Sequence, residues 1–448
     1  MKEIQQITEQ LDHLLSEYIS LDLAAAGLAV GIVYDHQPIY AKGFGRKNTD
    51  TGEPVDEHTL FHMASIAKTY VATAVMQLAE QGAVRLDEKI TAYLPYFHLR
   101  DERCRNITVR QLLSHTSGMP DEDEYEWDRP QFDEAALERY VRSISGRELM
   151  WDPDLGKYEY SNIGFEILGD LIAKASGIPF EQYMKEHILD PLQMKTSSFF
   201  KPEVDERLLA SPHIMGMNHS FGAKVSDIYP YNRAHGPSST LLTSAVESCN
   251  YAMAYLNRGC LNGARILSES SVNEAWREVA PADDFGYFRN IGLSWFMGQY
   301  RGFEAKAHGG SDTGFRSNLV LLPEKGIAVT MMFNTDYLGL HSVNNAILDV
   351  LLGEKVKAIP RSLTMHVAGV LAAEGTEAAF DEHAAALDRA ALGFVPADMD
   401  FSFCYIAQRL LHKGERENAV KVLELAMRLE PQAEELRLMM KELTSKLD

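Results

Sequence analysis

The stretch Phe61-His-Met-Ala-Ser-Ile-Ala-Lys-Thr-Tyr-Val-Ala-Thr-Ala-Val-Met-Gln-Leu-Ala-Glu-Gln-Gly82 constrains this chain more than any other. Ile66, Ala67, Tyr70, Val71, Ala74, Val75, Leu78 and Ala79 cover more than one helical stripe, so the spacing predicts a rod packed over most of its circumference. Ser65 falls where an N-cap or first-turn residue belongs, and Gly82 supplies the C-terminal stop. Lys68 is the only cation on the rod, and spacing i, i+3 puts it on the same face as Ser65. A serine hydroxyl is a weak nucleophile until a base takes its proton, and a lysine whose pKa is lowered by desolvation can be that base. The helix N-terminus also favours negative charge developing there. The plain alternative is a capping serine beside a snorkelling lysine, and Ser-x-x-Lys alone is too short a pattern to decide.

Composition narrows the classes. A formal charge of −21 argues against nucleic acid as a partner, since phosphates call for clustered Lys and Arg. No apolar run is long enough to span a membrane. The first residues alternate charged and apolar positions at helical spacing and lack the apolar centre of a secretion signal, so the expectation is a cytoplasmic protein. Cys104, Cys249, Cys260 and Cys404 are scattered with no Cys-x-x-Cys pair, which suits reduced thiols rather than a disulfide framework or a zinc site. His58 and His62 are four apart, but no glutamate follows His58 as a metalloprotease helix requires.

Along the chain, residues 3–20 read as an amphipathic helix. Residues 28–34 and 38–44 read as strands of an antiparallel hairpin, and 59–63 as a short extended lead into the serine helix. A long, mainly helical stretch follows, with helices at 107–114, 134–145, 164–175 and 179–188. Strand character returns at 302–308, 316–322 and 327–333, and residues 341–352 close as a helix. Strands from both ends with helices between predict an α+β fold: one antiparallel sheet carrying a large helical insertion at roughly 65–290, with the site in the cleft between two lobes. The expected division is a main domain over 1–355, a linker at 356–360 and an all-α extension over 361–448. Within the extension, 401–413 and 416–430 resemble a single tetratricopeptide-type hairpin. One such hairpin cannot bury its own face, so it should pack on 361–390, on the main domain or on a second copy in a homo-oligomer.

Two further motifs bear on Ser65. Tyr160-Ser161-Asn162 lies in a loop just before an apolar helix. A buried phenol beside an ammonium can ionise or shuttle a proton, and the amide can fix a substrate carbonyl or the lysine. The ordinary reading is that these residues cap the helix that follows. His308-Gly-Gly-Ser311 ends a strand where paired glycines allow close approach of a ligand to the backbone, and His308 could orient the tyrosine. As a plain alternative it is a glycine turn beside a core histidine.

In the order Ser-x-x-Lys, Tyr-x-Asn, His-x-Gly, these motifs resemble the serine β-lactamase and penicillin-recognising family, and within it the class C and esterase-like branch. Leu112-Leu-Ser-His-Thr-Ser-Gly118, Asp190-Pro-Leu-Gln-Met194, Gly292-Leu-Ser-Trp295 and Leu-Leu-Gly353 extend the match over roughly residues 20–353. The resemblance implies a β-lactamase/transpeptidase-like fold and an acyl-enzyme mechanism needing no metal or organic cofactor. Carried over, Ser65 attacks a carbonyl, Lys68 and Tyr160 share its proton, and Asn162 holds the lysine or the substrate. The backbone N–H groups of Ser65 and Ser311, the latter beside Gly310, form the oxyanion hole.

One departure matters. The penicillin-active branches usually carry lysine where His308 stands, and Arg316 is the only nearby substitute, although an arginine on a strand face is more often solvated. The expected substrate is therefore a small ester or amide, as for an esterase or D-amino-peptidase. A β-lactamase or D-Ala-D-Ala-type peptidase is the first alternative, and a non-catalytic binding protein on the same fold the second. The acidic run at 121–126 reads as a solvated loop, with steering of amine-bearing substrates as the alternative. Tyr229, Tyr231 and residues 235–240 are expected to line another edge of the cleft.

Overall fold

A computed structural model describes the chain except for residues 1, 22–24, 123, 216–221, 283–286, 337–338, 389–393, 396–398, 413 and 446–448. Among the described residues, eight strands form one antiparallel sheet. They are β1 (Gly27–Tyr34), β2 (Gln37–Gly45), β3 (Ala280–Pro281), β4 (Phe288–Ile291), β5 (Phe296–Tyr300), β6 (Phe303–Asp312), β7 (Phe315–Leu322) and β8 (Ile327–Phe333). Their order is β2-β1-β8-β7-β6-β5-β4-β3. The two ends of the chain's main body meet where β1 pairs with β8, Leu28 opposite Phe333. The expected α+β architecture, a sheet with a helical insertion, is the one observed.

The period-2 pattern of the strands explains why both faces are covered. Leu28, Val30 and Ile32 of β1, Val320 and Leu322 of β7, and Val329 and Met331 of β8 point to one apolar cluster. Ala29, Val33, Leu319, Leu321, Ala328 and Met332 point to another, which contains the serine helix Ala67–Glu80. Each fully buried Val, Leu or Ile contributes roughly 1.5–3 kcal/mol. The first cluster is closed by the N-terminal helix Lys2–Leu21, whose Leu11, Leu14, Leu15 and Tyr18 form one helical stripe, and by the helix Leu340–Leu351.

The same cluster continues into the C-terminal helices, through Leu363, Val367 and Leu371, then Phe403, Ile406 and Leu410, then Val422 and Leu423. Helices Leu363–Glu374 and Thr376–Asp388 precede the pair Met399–His412 and Arg416–Leu429, and Glu434–Ser445 follows. The C-terminal region thus packs on its own neighbours and shares one apolar cluster with the sheet. It also contains one short parallel pairing, Arg361–Ser362 with Phe394–Val395, which its Ala- and charge-rich sequence does not foreshadow.

The strands β3, β4 and β5 are likewise not foreseen. Each is five residues or fewer, and Phe288-Arg-Asn-Ile291 and Phe296-Met-Gly-Gln-Tyr300 hold too few alternating apolar residues to stand out. All four cysteines are free thiols. Among the described residues, no helix is long and apolar enough to cross a membrane.

Candidate active site

The serine helix begins with a strained entry. Phe61–His62 pairs with Leu242–Thr243, and Met63 N–H donates to Leu241 O at 2.8 Å, which clamps the chain before the turn. Ala64 then takes φ +46°, a left-handed conformation that costs a non-glycine residue on the order of 1 kcal/mol. Ser65 occupies the 3-10 turn Ala64–Ile66 and remains partly exposed, while the rod behind it is buried through Leu78. It is a first-turn residue and not a cap: the helix start carries no side-chain cap, so the hydroxyl is free of that duty. Gly82, at φ +74°, ends the helix as its position predicts.

Lys68 does not snorkel. Its side chain is fully buried, with Nζ 3.0 Å from Ser65 Oγ and 2.8 Å from the Ser238 carbonyl. Burial pushes the amine down to about 8, although Glu166, Asp121 and Asp312 each pull it part of the way back. The Tyr160 ring lies 5.1 Å from Lys68 Nζ. Desolvation raises the Tyr160 phenol well above the usual value, and the nearby Ser65 hydroxyl recovers only part of that rise. Of the two groups beside Ser65, the lysine is therefore the one that reaches its basic form near pH 8, while the tyrosine stays a neutral phenol.

The loop leading to Tyr160 is held by a residue that sequence reasoning did not single out. His115 stacks on Tyr160 with ring centroids 4.2 Å apart, and its Nδ1 accepts the Ser161 N–H at 3.0 Å. Burial keeps this imidazole neutral, well below its ordinary pKa. Ser161 caps the helix Asn162–Ser176 by accepting from Gly164 N–H. Asn162 is thereby free of capping, but its amide does not reach Lys68. It donates to Asp121 at 3.0 and 3.1 Å and to the Tyr125 hydroxyl at 2.6 Å, while its backbone N–H donates to Asp121 at 2.7 Å.

The acidic run is therefore not simply solvated. Asp121 is built into the Asn162 junction, and Glu122 pairs with Arg147 at 2.7 Å and accepts from Tyr140 at 2.5 Å. Asp123 lies outside the described residues.

The strand β6 brings the third motif past the turn Ala64–Ile66. A Cβ on Gly310 would overlap the Met63 carbonyl oxygen and the Ser317 hydroxyl and come within 3.2 Å of Ala64 Cβ, so only glycine permits this approach. Ser317 Oγ donates to the same Met63 carbonyl at 2.6 Å. Ser311 follows, opposite Arg316 in the β6–β7 register. Asp312 accepts from His62 Nε2 at 2.7 Å and Ser239 Oγ at 2.5 Å. Burial would raise this carboxyl, but those bonds from His62 and Ser239 hold it low.

His308 is buried, with Nδ1 donating to Gly309 O at 2.7 Å; burial and the nearby Lys68 push it down to about 3. Its ring is 6.4 Å from Tyr160, and no hydrogen bond joins the two among the described residues. It is a neutral wall and brings no positive charge to the cleft. Nor does Arg316, which is buried and not solvated. It donates to the Asp312 and Phe315 carbonyls, lies 3.7 Å from Asp336 and is covered by Tyr405 of the C-terminal extension.

Ser65 thus meets a buried lysine one turn away, with the Tyr160 ring near that lysine and a glycine-bearing strand across the turn, on an α+β scaffold. The sequence profile of the Beta-lactamase family matches residues 4–352, and the chain belongs to that family. It is 27 % identical over 338 residues to Beta-lactamase-like protein 2 of Dictyostelium discoideum, covering 74 % of this chain but only 60 % of that protein. Penicillin-binding protein 4 of Amycolatopsis lactamdurans is 28 % identical over 332 residues, covering 73 % and 84 %. The octameric penicillin-binding protein homologue from Pyrococcus abyssi superposes with a TM-score of 0.66 at 25 % identity, covering 81 % of each chain.

Proposed function

We propose that this protein is a serine hydrolase that works through an acyl-enzyme on a small ester or amide. The carrying observation is the 3.0 Å approach of a buried, pKa-lowered Lys68 to the uncapped hydroxyl of Ser65. Neutral Lys68 takes the Ser65 proton as the Oγ–carbon bond forms. Tyr160, kept as a phenol, passes a proton from the lysine side to the leaving group as that bond breaks. Water then attacks the ester by the same route in reverse and releases the acid. The backbone N–H groups of Ser65 and Ser311 receive the oxyanion, at about 3 kcal/mol per well-placed donor. Asn162 fixes the loop that presents Tyr160, with Asp121 as its anchor.

The neutral His308 and the engaged Arg316 favour a substrate without a carboxylate at that end of the cleft, and so an ester or amide over a penicillin. The test is kinetic: a p-nitrophenyl ester beside a chromogenic cephalosporin. Turnover of the ester alone is expected; fast cephalosporin hydrolysis without esterase activity would assign the protein to the β-lactamases instead. Within this reading residues 361–448 are a helical extension of a hydrolase domain that ends near 355.

The pH profile follows from the same groups. Lys68 must be unprotonated to act as base, so kcat/KM should rise with pH through about 8. His115 and His308 are both held neutral, so no limb is expected near the ordinary histidine value. A profile governed by a group near 6.5 would show that another base does the work.

A further inference from the structure

Behind Lys68 lies a carboxylate that the acyl-transfer scheme leaves unused. Glu166 stands one turn after Asn162 in the helix Asn162–Ser176 and is fully buried. Its Oε1 accepts from Ser238 Oγ at 2.5 Å and faces His235 Nδ1 at 3.2 Å. Ser238 is the same residue whose carbonyl holds Lys68 Nζ at 2.8 Å. Carboxylate and amine thus grip opposite ends of one residue. The packing that allows this is tight: Gly169, on the same helical face three residues on, leaves no room for a Cβ against Pro237.

The second Glu166 oxygen has no hydrogen-bond partner among the described residues. A buried carboxylate with an empty acceptor site is costly, and a core serving only packing would place an apolar residue there. What offsets the cost is positive charge nearby, and Lys68 becomes an ammonium each time it accepts the Ser65 proton.

We infer that Glu166 is a positioning residue for Lys68: through Ser238 it fixes the carbonyl that holds the amine, and it supplies the counter-charge for the ammonium formed during acyl transfer. The inference rests on the hydrolase reading above. The other groups facing Lys68 are Asp121 and Asp312, which act in the same sense, together with Tyr160, His115 and His308, all uncharged. Glu166 itself is faced by His235 and by the phenols of Tyr125 and Tyr140, and both phenols also pack edge-on against His235.

The sign is definite. Removing the carboxylate charge withdraws an interaction that favours protonated Lys68, so the amine gives up its proton at lower pH. Less stabilisation of the ammonium also slows the step that creates it.

The test is the rate of Ser65 labelling by a fluorophosphonate across pH 6 to 10, with kcat and KM on a p-nitrophenyl ester, for the wild type and for Glu166→Gln. The acid limb is expected to move down by roughly one pH unit, and the plateau rate to fall about ten-fold. KM should stay near the wild-type value. Ser238→Ala keeps the carbonyl but cuts the hydroxyl link; it should lower the plateau with a smaller shift of the limb, and it decides the matter if Glu166→Gln does not fold. A folded Glu166→Gln, or failing that a folded Ser238→Ala, with the wild-type limb and plateau would overturn the inference. Failure of the wild type to label at Ser65 would instead overturn the hydrolase reading, so the two failures are separable.

Discussion

Lys68→Ala should all but abolish fluorophosphonate labelling of Ser65, slowing it by about 10³-fold or more, measured as intact-mass adduct against time. The amine is the one group beside Ser65 that burial brings towards neutrality, whereas the same desolvation makes Tyr160 harder to ionise. Without Lys68, the serine has only a phenol that resists giving up its proton. Lys68→Arg should not rescue the rate, because a guanidinium stays charged and cannot act as the base. Circular dichroism would establish that each variant is folded. A folded Lys68→Ala that labels at the wild-type rate would make the lysine a structural residue and remove the proposed mechanism.

The second large effect is expected at Gly310. An alanine there drives its methyl into the Met63 carbonyl and the Ser317 hydroxyl, neither of which is the free end of a flexible chain. Either the strand β6 moves away from the Ser65 turn or the turn itself shifts. A displacement near 1 Å in such a site costs on the order of 10²-fold in turnover. The overpacking itself costs about 1–3 kcal/mol of stability. Gly310→Ala should therefore lose far more activity than its melting temperature alone would suggest, and Gly309→Ala, where a Cβ meets only the Ser317 carbonyl at 3.9 Å, should lose little stability. Equal activity in the wild type and Gly310→Ala would mean that β6 does not shape the site.

Ser65 and Lys68 were legible because their relation is local: helical spacing alone puts them together. The strands of the central sheet were legible where period-2 runs of Val, Ile and Leu are long, as in β1, β7 and β8, and hidden where strands are brief, as in β3 to β5. Partnerships across distant chain were not legible. Nothing in Tyr160-Ser161-Asn162 says that the amide will turn to Asp121, or that His115 will stack on the tyrosine.

Arg316 illustrates the same limit. On a strand face it reads as solvated, and only the fold reveals Asp336 and Tyr405 around it. Glu166 did leave a signal. In Ile163-Gly-Phe-Glu-Ile-Leu-Gly-Asp-Leu-Ile172, two acids interrupt an otherwise apolar helix, and both are buried. An acid inside such a run needs a dedicated partner, although only the fold reveals that Glu166 finds it in Ser238 and His235.

The C-terminal helices have a practical consequence for anyone handling the polypeptide. A version cropped after residue 355, as the family match would invite, removes the C-terminal part of the cluster that the helices Lys2–Leu21 and Leu340–Leu351 begin and leaves part of a greasy panel facing water. Such a fragment should clump or pair with its own copies, so the last helices belong with residues 1–355 in any preparation meant to stay dispersed.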